Sequence, residues 1–252
     1  MSYLHIIIIS ILTTVLIFIN SCSSDSISSA PQKLQEIPLV EQNVSYMRAL
    51  GLMRGHLIVG KELLDQGTPD QAESHLGHPV NELYHEVEEP LKSNGVPQFK
   101  ESLEKLYDIA KYQPASPQVK TNYDDSIMGI NKALQALPKG NLQSPKFVLQ
   151  VIHEMLKVLE VEYKSGIVKG KISERIEYQD SRGFVICASE FYSNIASQVN
   201  QKSSNIHNAI NTGLKEIKEV FPSVNPPERP LKTPEQVSEL VRMIWENSQK
   251  YS

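Results

Sequence analysis

From residue 38 onward the chain returns repeatedly to apolar residues spaced three and four apart, and prolines punctuate these runs. That spacing puts the apolar side chains on one helical face, and proline suits a helix's first turn but blocks its interior. No Asn-Gly or Asp-Gly pair stands between alternating apolar runs, the usual mark of a β-hairpin. The expected fold is therefore all-α, a multi-helix bundle of about eight to nine helices.

The punctuation sets the boundaries. A first helix is expected over about 42–66, ending at Gly67. Thr68-Pro69-Asp70-Gln71 has the form of a capping box with a first-turn proline and opens a second helix, which should stop at Gly77. Pro79 opens a third, with Val80, Leu83, Tyr84, Val87 and Leu91 on one face, closed by Gly95, and Pro97 begins a fourth that ends at Pro114. Ser116-Pro117 and Ser144-Pro145 start two more. Further helices carry the Phe184 to Val199 and Ile206 to Ile217 stripes, a spacer holds Pro222, Pro226, Pro227 and Pro230, and Thr233-Pro234-Glu235-Gln236 caps the last. Leu63, Gly67, Pro69, Glu73 and Ser74 recur 28 residues later as Leu91, Gly95, Pro97, Glu101 and Ser102. Two copies suggest paired helical hairpins, somewhat like tetratricopeptide units, but an array needs about three.

Ahead of the helices, Ile6 to Ile19 is an uncharged apolar run leading to Asn20-Ser21-Cys22. An export-signal core is about 7–15 residues long, and a spanning helix needs about 20. Ile19-Asn20-Ser21-Cys22 resembles the bacterial lipobox, which implies that Cys22 becomes the lipidated, palmitate-bearing first residue of the mature chain. The leader lacks the usual Lys or Arg, and an uncleaved anchor spanning residues 3–21 is the rival reading. The domain plan is 1–21 signal peptide, 22–38 Ser-rich tether and 39–252 helical bundle, fastened to a membrane and facing the periplasm or cell exterior.

Cys22 and Cys187 are the only cysteines, so a lipidated Cys22 leaves no disulfide framework. The net charge of −4 comes without a basic block, which argues against nucleic acid as a partner. Ser102-Leu-Glu-Lys105 lacks the companion motifs of penicillin-binding proteins, Cys187 sits on an apolar stripe, and no Gly-x-Ser-x-Gly, phosphate loop or His-Glu-x-x-His occurs. No catalytic residue is assigned.

Four of the seven histidines lie between Met47 and Glu89. His56 shares a face with Leu52, Met53, Val59 and Leu63 and should point into the bundle, either as a hydrogen-bonded core histidine or as a ligand to a metal or haem. Glu82-Leu-Tyr-His85 has the Glu-x-x-His spacing of di-iron bundles, although its later echo, Gln150 to His153, replaces the carboxylate with an amide. His75, His78, Glu82 and His85 form either a solvated face or, with His56, a divalent-metal site. Glu177, Asp180 and Arg182 form a second polar cluster, either a cap and ion-pair network at the start of the Phe184 helix or the completion of a pocket with His56.

At Met53-Arg-Gly-His-Leu57, His78-Pro79, Glu82 and Glu177 through Val185, the chain resembles a group of exported bacterial helical proteins without an assigned function. It is also distantly similar to imelysin-like periplasmic proteins, some associated with iron uptake, whose motif is Gly-x-His-x-x-Glu. Here Gly55 directly precedes His56 and Val59 takes the acidic position, so that family's metal role does not carry over. The expected function is a lipoprotein with a non-catalytic binding role, for iron or another transition metal or for haem. A helical adaptor for another envelope protein is the alternative, and a metal-dependent oxidoreductase would need inward Glu and His ligands.

Overall fold

The computed structural model describes residues 38–251. The signal peptide, Cys22 and almost all of the tether expected from the sequence lie outside the described residues. No helix among the described residues is long and apolar enough to cross a membrane. The fold is all-α. In chain order the helices are α1 (Leu39–Asp65), α2 (Pro69–His78), α3 (Tyr84–Ser93), α4 (Lys100–Tyr112), α5 (Gln118–Gln135), the single turn α6 (Lys139–Leu142), α7 (Pro145–Gly166), α8 (Arg175–Lys202), α9 (Ser204–Val220) and α10 (Pro234–Gln249).

Helices α7, α8, α9 and α10 each pack on the next, and α10 returns to α7, closing a four-helix ring. α1 lies against the α7–α8 side of that ring, and α2, α3 and α5 pack on its other flank. This sandwiched position explains a sequence peculiarity: from Val44 to Leu63, α1 is buried on almost all sides, including Met47, Met53 and Leu57. A helix that is apolar all round belongs in an interior.

Several local signals act as expected. Ser144 accepts a hydrogen bond from the Phe147 amide, and Thr233 and Gln236 form a reciprocal capping box. The 28-residue recurrence is a repeated helix stop. Gly67 (φ 74°) and Gly95 (φ 65°) both take the left-handed conformation, and the Thr68 and Val96 amides reach back to Leu63 and Leu91 at 3.0 and 2.9 Å. Both are Schellman closures, which only a residue free of a Cβ penalty adopts readily.

Three expectations need correction. Thr68 does not form a box with Gln71; its hydroxyl donates to the Leu63 carbonyl at 2.9 Å and ties the turn to α1 instead. The second helix does not stop at Gly77. It continues through Pro79 as a π-helical turn, Pro79–Leu83, into α3. Proline cannot donate to the preceding turn, and the wider turn absorbs the missing bond. Finally, a short antiparallel ladder joins α7 to α8, pairing Ile167 with Ile172 and Val168 with Lys171. Its turn is Lys169-Gly170, with φ of 52° and 72°. Two positive φ angles are what a tight hairpin requires, and lysine in the first position hid it from the sequence pattern.

Candidate metal centre

Where α1 meets α8, two glycines remove the usual side-chain layer. A Cβ on Gly183 would lie 2.3 Å from the Gly55 carbonyl oxygen, so the two backbones are effectively in contact. This crossing brings His56, next to Gly55, against Asp180, one turn before Gly183. His56 Nδ1 and Asp180 Oδ1 are 2.8 Å apart.

α2 completes the group from the opposite side. His75 Nδ1 lies 2.7 Å from the same Asp180 Oδ1. His78, one turn on, places Nδ1 3.5 Å from Asp180 Oδ2 and 3.3 Å from His56 Nδ1. One ligand atom from each of His56, His75, His78 and Asp180 lies within 4.8 Å of the other three. His75 is fully buried, His56 and Asp180 are 5% and 3% exposed, and the His78 side chain retains 20% exposure. The Phe184 ring meets His56 edge-on at 4.9 Å and supplies an apolar wall.

The electrostatics centre on the buried carboxylate. Burial works against the Asp180 carboxylate, but the surrounding imidazoles, His56 foremost, outweigh it and hold the pKa well below the usual range. Burial lowers the pKa of His56 despite the opposing pull of Asp180. Burial also acts to lower that of His78, but its contact with Asp180 and the charges of Asp180, Glu82 and Glu177 raise it overall. The core of the cluster is thus an ionised carboxylate beside a buried neutral imidazole.

The sequence-derived residues separate. His56, His75 and His78 come together with Asp180. Glu82 is outside that group, its Oε1 3.8 Å from His78 Nε2 and its side chain 62% exposed. His85 is exposed and is not a member of the cluster. On an uninterrupted α-helix His78, Glu82 and His85 would share one face. The π turn inserts about one residue, rotating the succeeding helix by about 100° and taking His85 away from the centre. His153 does not approach either; it stacks on Trp245 at 3.8 Å.

The second polar cluster divides as well. Asp180 is not a helix cap, because α8 begins five residues earlier at Arg175. Arg182 makes a forked pair with Glu62 of α1 at 3.0 and 3.1 Å. Glu177 instead faces Glu162 of α7, and burial together with that carboxylate pushes Glu162 up to about 9. Between the ordinary carboxyl value of 4.5 and about 9, the folded chain holds a proton that the unfolded chain has released. Stability must therefore fall as pH rises through that window. Glu162→Gln should remove this dependence and stabilise the protein at pH 8 by on the order of 1–2 kcal/mol, with little effect near pH 4. Urea unfolding at the two pH values checks it; an unchanged pH profile would exclude the shared proton.

One contributor was not read from the sequence. Gln179, 1% exposed, sets its Oε1 2.9 Å from His75 Nε2. An uncharged residue beside Asp180 carries no ligand signature, and only its burial marks it.

Residues 138–252 match a family described as "Iron permease-associated 4-helix bundle domain". The match spans less than half of the chain and coincides with α6 and the α7–α10 ring, which contribute Asp180 and Gln179 but none of the three clustered histidines. No curated protein and no solved structure matches the chain.

Proposed function

We propose that this protein binds a divalent transition metal, iron foremost, through His56, His75, His78 and Asp180, and holds it without catalysing a reaction. The observation that carries the reading is the convergence of three imidazoles and one carboxylate, from α1, α2 and α8, within 4.8 Å of one another. Four ligands at about 2.0–2.1 Å from a tetrahedral ion stand about 3.3–3.4 Å from each other. The His56–His78 and His78–Asp180 separations of 3.3 and 3.5 Å are of that size. The two contacts of Asp180 Oδ1, 2.8 and 2.7 Å, are shorter and would open by about half an ångström around an ion.

The donor chemistry narrows the ion. Imidazole suits iron, zinc, copper and nickel, whereas magnesium and calcium prefer oxygen. The description of the family matched by the α7–α10 half supports iron among these. Donors this close together suit a bare ion better than haem, whose ring would have to lie among them. A Cys22 lipid anchor would keep the bundle at the membrane surface, facing the periplasm or cell exterior. The iron-permease association of the matched family fits work beside a membrane transporter, so an envelope protein partner becomes a destination for the metal.

Elemental analysis of the purified full chain after anaerobic loading with ferrous iron tests the reading. About one ion per chain is expected, with loss in His56→Ala and His75→Ala and retention in His85→Ala. Equal uptake by the His75 variant, or loss in the His85 variant, would overturn it. A protein that takes up no metal yet still captures an envelope partner would favour the adaptor role.

A further inference from the structure

We propose that Gln179 is the positioning residue of this centre: it fixes the tautomer of His75 so that Nδ1, rather than Nε2, is offered to the ion as a lone pair. The inference rests on the metal-binding reading. The two ends of the Gln179 amide have different partners.

Gln179 Nε2 donates to the Val224 carbonyl oxygen at 3.1 Å and to Gln71 Oε1 at 3.4 Å. A carbonyl oxygen only accepts, so the amide nitrogen belongs on that side and the amide oxygen is the atom facing His75 Nε2 at 2.9 Å. That oxygen accepts in turn, so Nε2 carries a proton. Nδ1, the other ring nitrogen, faces the ion site. In the metal-free chain Nδ1–H donates to Asp180 Oδ1 at 2.7 Å. An ion takes the place of that proton, and because Gln179 holds the remaining one on Nε2, Nδ1 is the atom left to coordinate.

Metal-ligating histidines usually donate their second ring N–H to an outer partner that fixes the ring. The corresponding partner of His78 is Glu82, 3.8 Å from Nε2 and largely exposed. At His75 the partner is an amide, and both residues are closed to solvent. A neutral acceptor orients the ring without adding charge, so Asp180 remains the only anion among the four donors. The relay also joins the centre to the segment after α9: Val224 holds Gln179, Gln179 holds His75, and His75 faces the ion site.

The test uses the full chain labelled with ¹⁵N-histidine, metal-free and loaded with zinc as a diamagnetic probe. Long-range proton–nitrogen correlation should show a proton on His75 Nε2 in both states, and on loading Nδ1 should lose its proton and shift as the ligand atom. Gln179→Met removes the acceptor and should weaken zinc binding about 10–100-fold. Gln179→Glu returns an oxygen to that position and should recover most of the affinity and the Nε2–H signal. A zinc-loaded wild type in which His75 coordinates through Nε2 and keeps its proton on Nδ1, or wild-type zinc affinity in a folded Gln179→Met, overturns the proposal; the first readout stands even if both variants fail to fold. If the wild type takes up no zinc, the metal reading falls and the proposal with it. If it binds zinc and either readout fails, the proposal alone falls.

Discussion

Replacing Asp180 with Asn should weaken metal binding by at least about 100-fold, close to 2.7 kcal/mol. Asp180 is the only anion among the four donors, and its two oxygens reach all three imidazoles. Asparagine keeps the shape but removes the charge that balances a divalent ion in a site almost closed to water. Competition against a chromophoric chelator at neutral pH measures the change. The metal-free protein should also lose about 1–3 kcal/mol, because buried imidazoles lose an ionised partner.

That second loss has a definite pH sign. The folded-state pKa of Asp180 is depressed, so its contribution is present above the unfolded value and disappears as pH falls through the folded one. Wild type and Asp180→Asn should therefore differ most at neutral pH and converge in strong acid. Equal metal affinity in the two proteins would place the binding site elsewhere.

The helices were legible because their evidence is local. Caps such as Ser144 and the Thr233–Gln236 box act over three or four residues, and the amphipathic stripes over two turns. The π turn was not legible. Gly77-His78-Pro79 reads as a stop and a restart, yet α2 and α3 are pressed against α1, and that packing carries the chain through the proline. The same turn decides the candidate site, since a plain helix groups His78, Glu82 and His85 and the π turn separates them.

His56 was placed in the interior by helical phase alone, whereas its pairing with Asp180 spans 124 positions and no periodicity reports it. The dense Glu177 to Phe184 stretch pointed to the right helix end. Of the two readings of Asp180, the cap fails because α8 starts earlier, and Asp180 lies instead in the seam with α1, against His56. Gln179 stayed hidden because its importance depends on which atom of a neighbouring ring it touches.

The seam between α1 and α8 makes the site depend directly on the fold. Gly183→Ala should destabilise the protein by about 3 kcal/mol or more, beyond the helix-propensity gain of about 1 kcal/mol that alanine brings. The added Cβ would stand 2.3 Å from the Gly55 carbonyl oxygen and 2.7 Å from its carbon. Both are backbone atoms with no rotamer to retreat into, so α1 and α8 must move apart. That separation acts directly on the centre, since His56 follows Gly55 and Asp180 precedes Gly183 by one turn. A gap of even about 1 Å would take the 2.8 Å His56–Asp180 contact beyond hydrogen-bond length. The variant should therefore lose stability and metal together, although residue 183 bears no ligand atom. Gly140→Ala is the matched control, because nothing stands within 4 Å of a Cβ there. Urea unfolding and zinc titration of both variants distinguish the cases. A Gly183→Ala protein as stable as wild type, or one that keeps full affinity, would show that the α1–α8 contact does not set the geometry of the four donors.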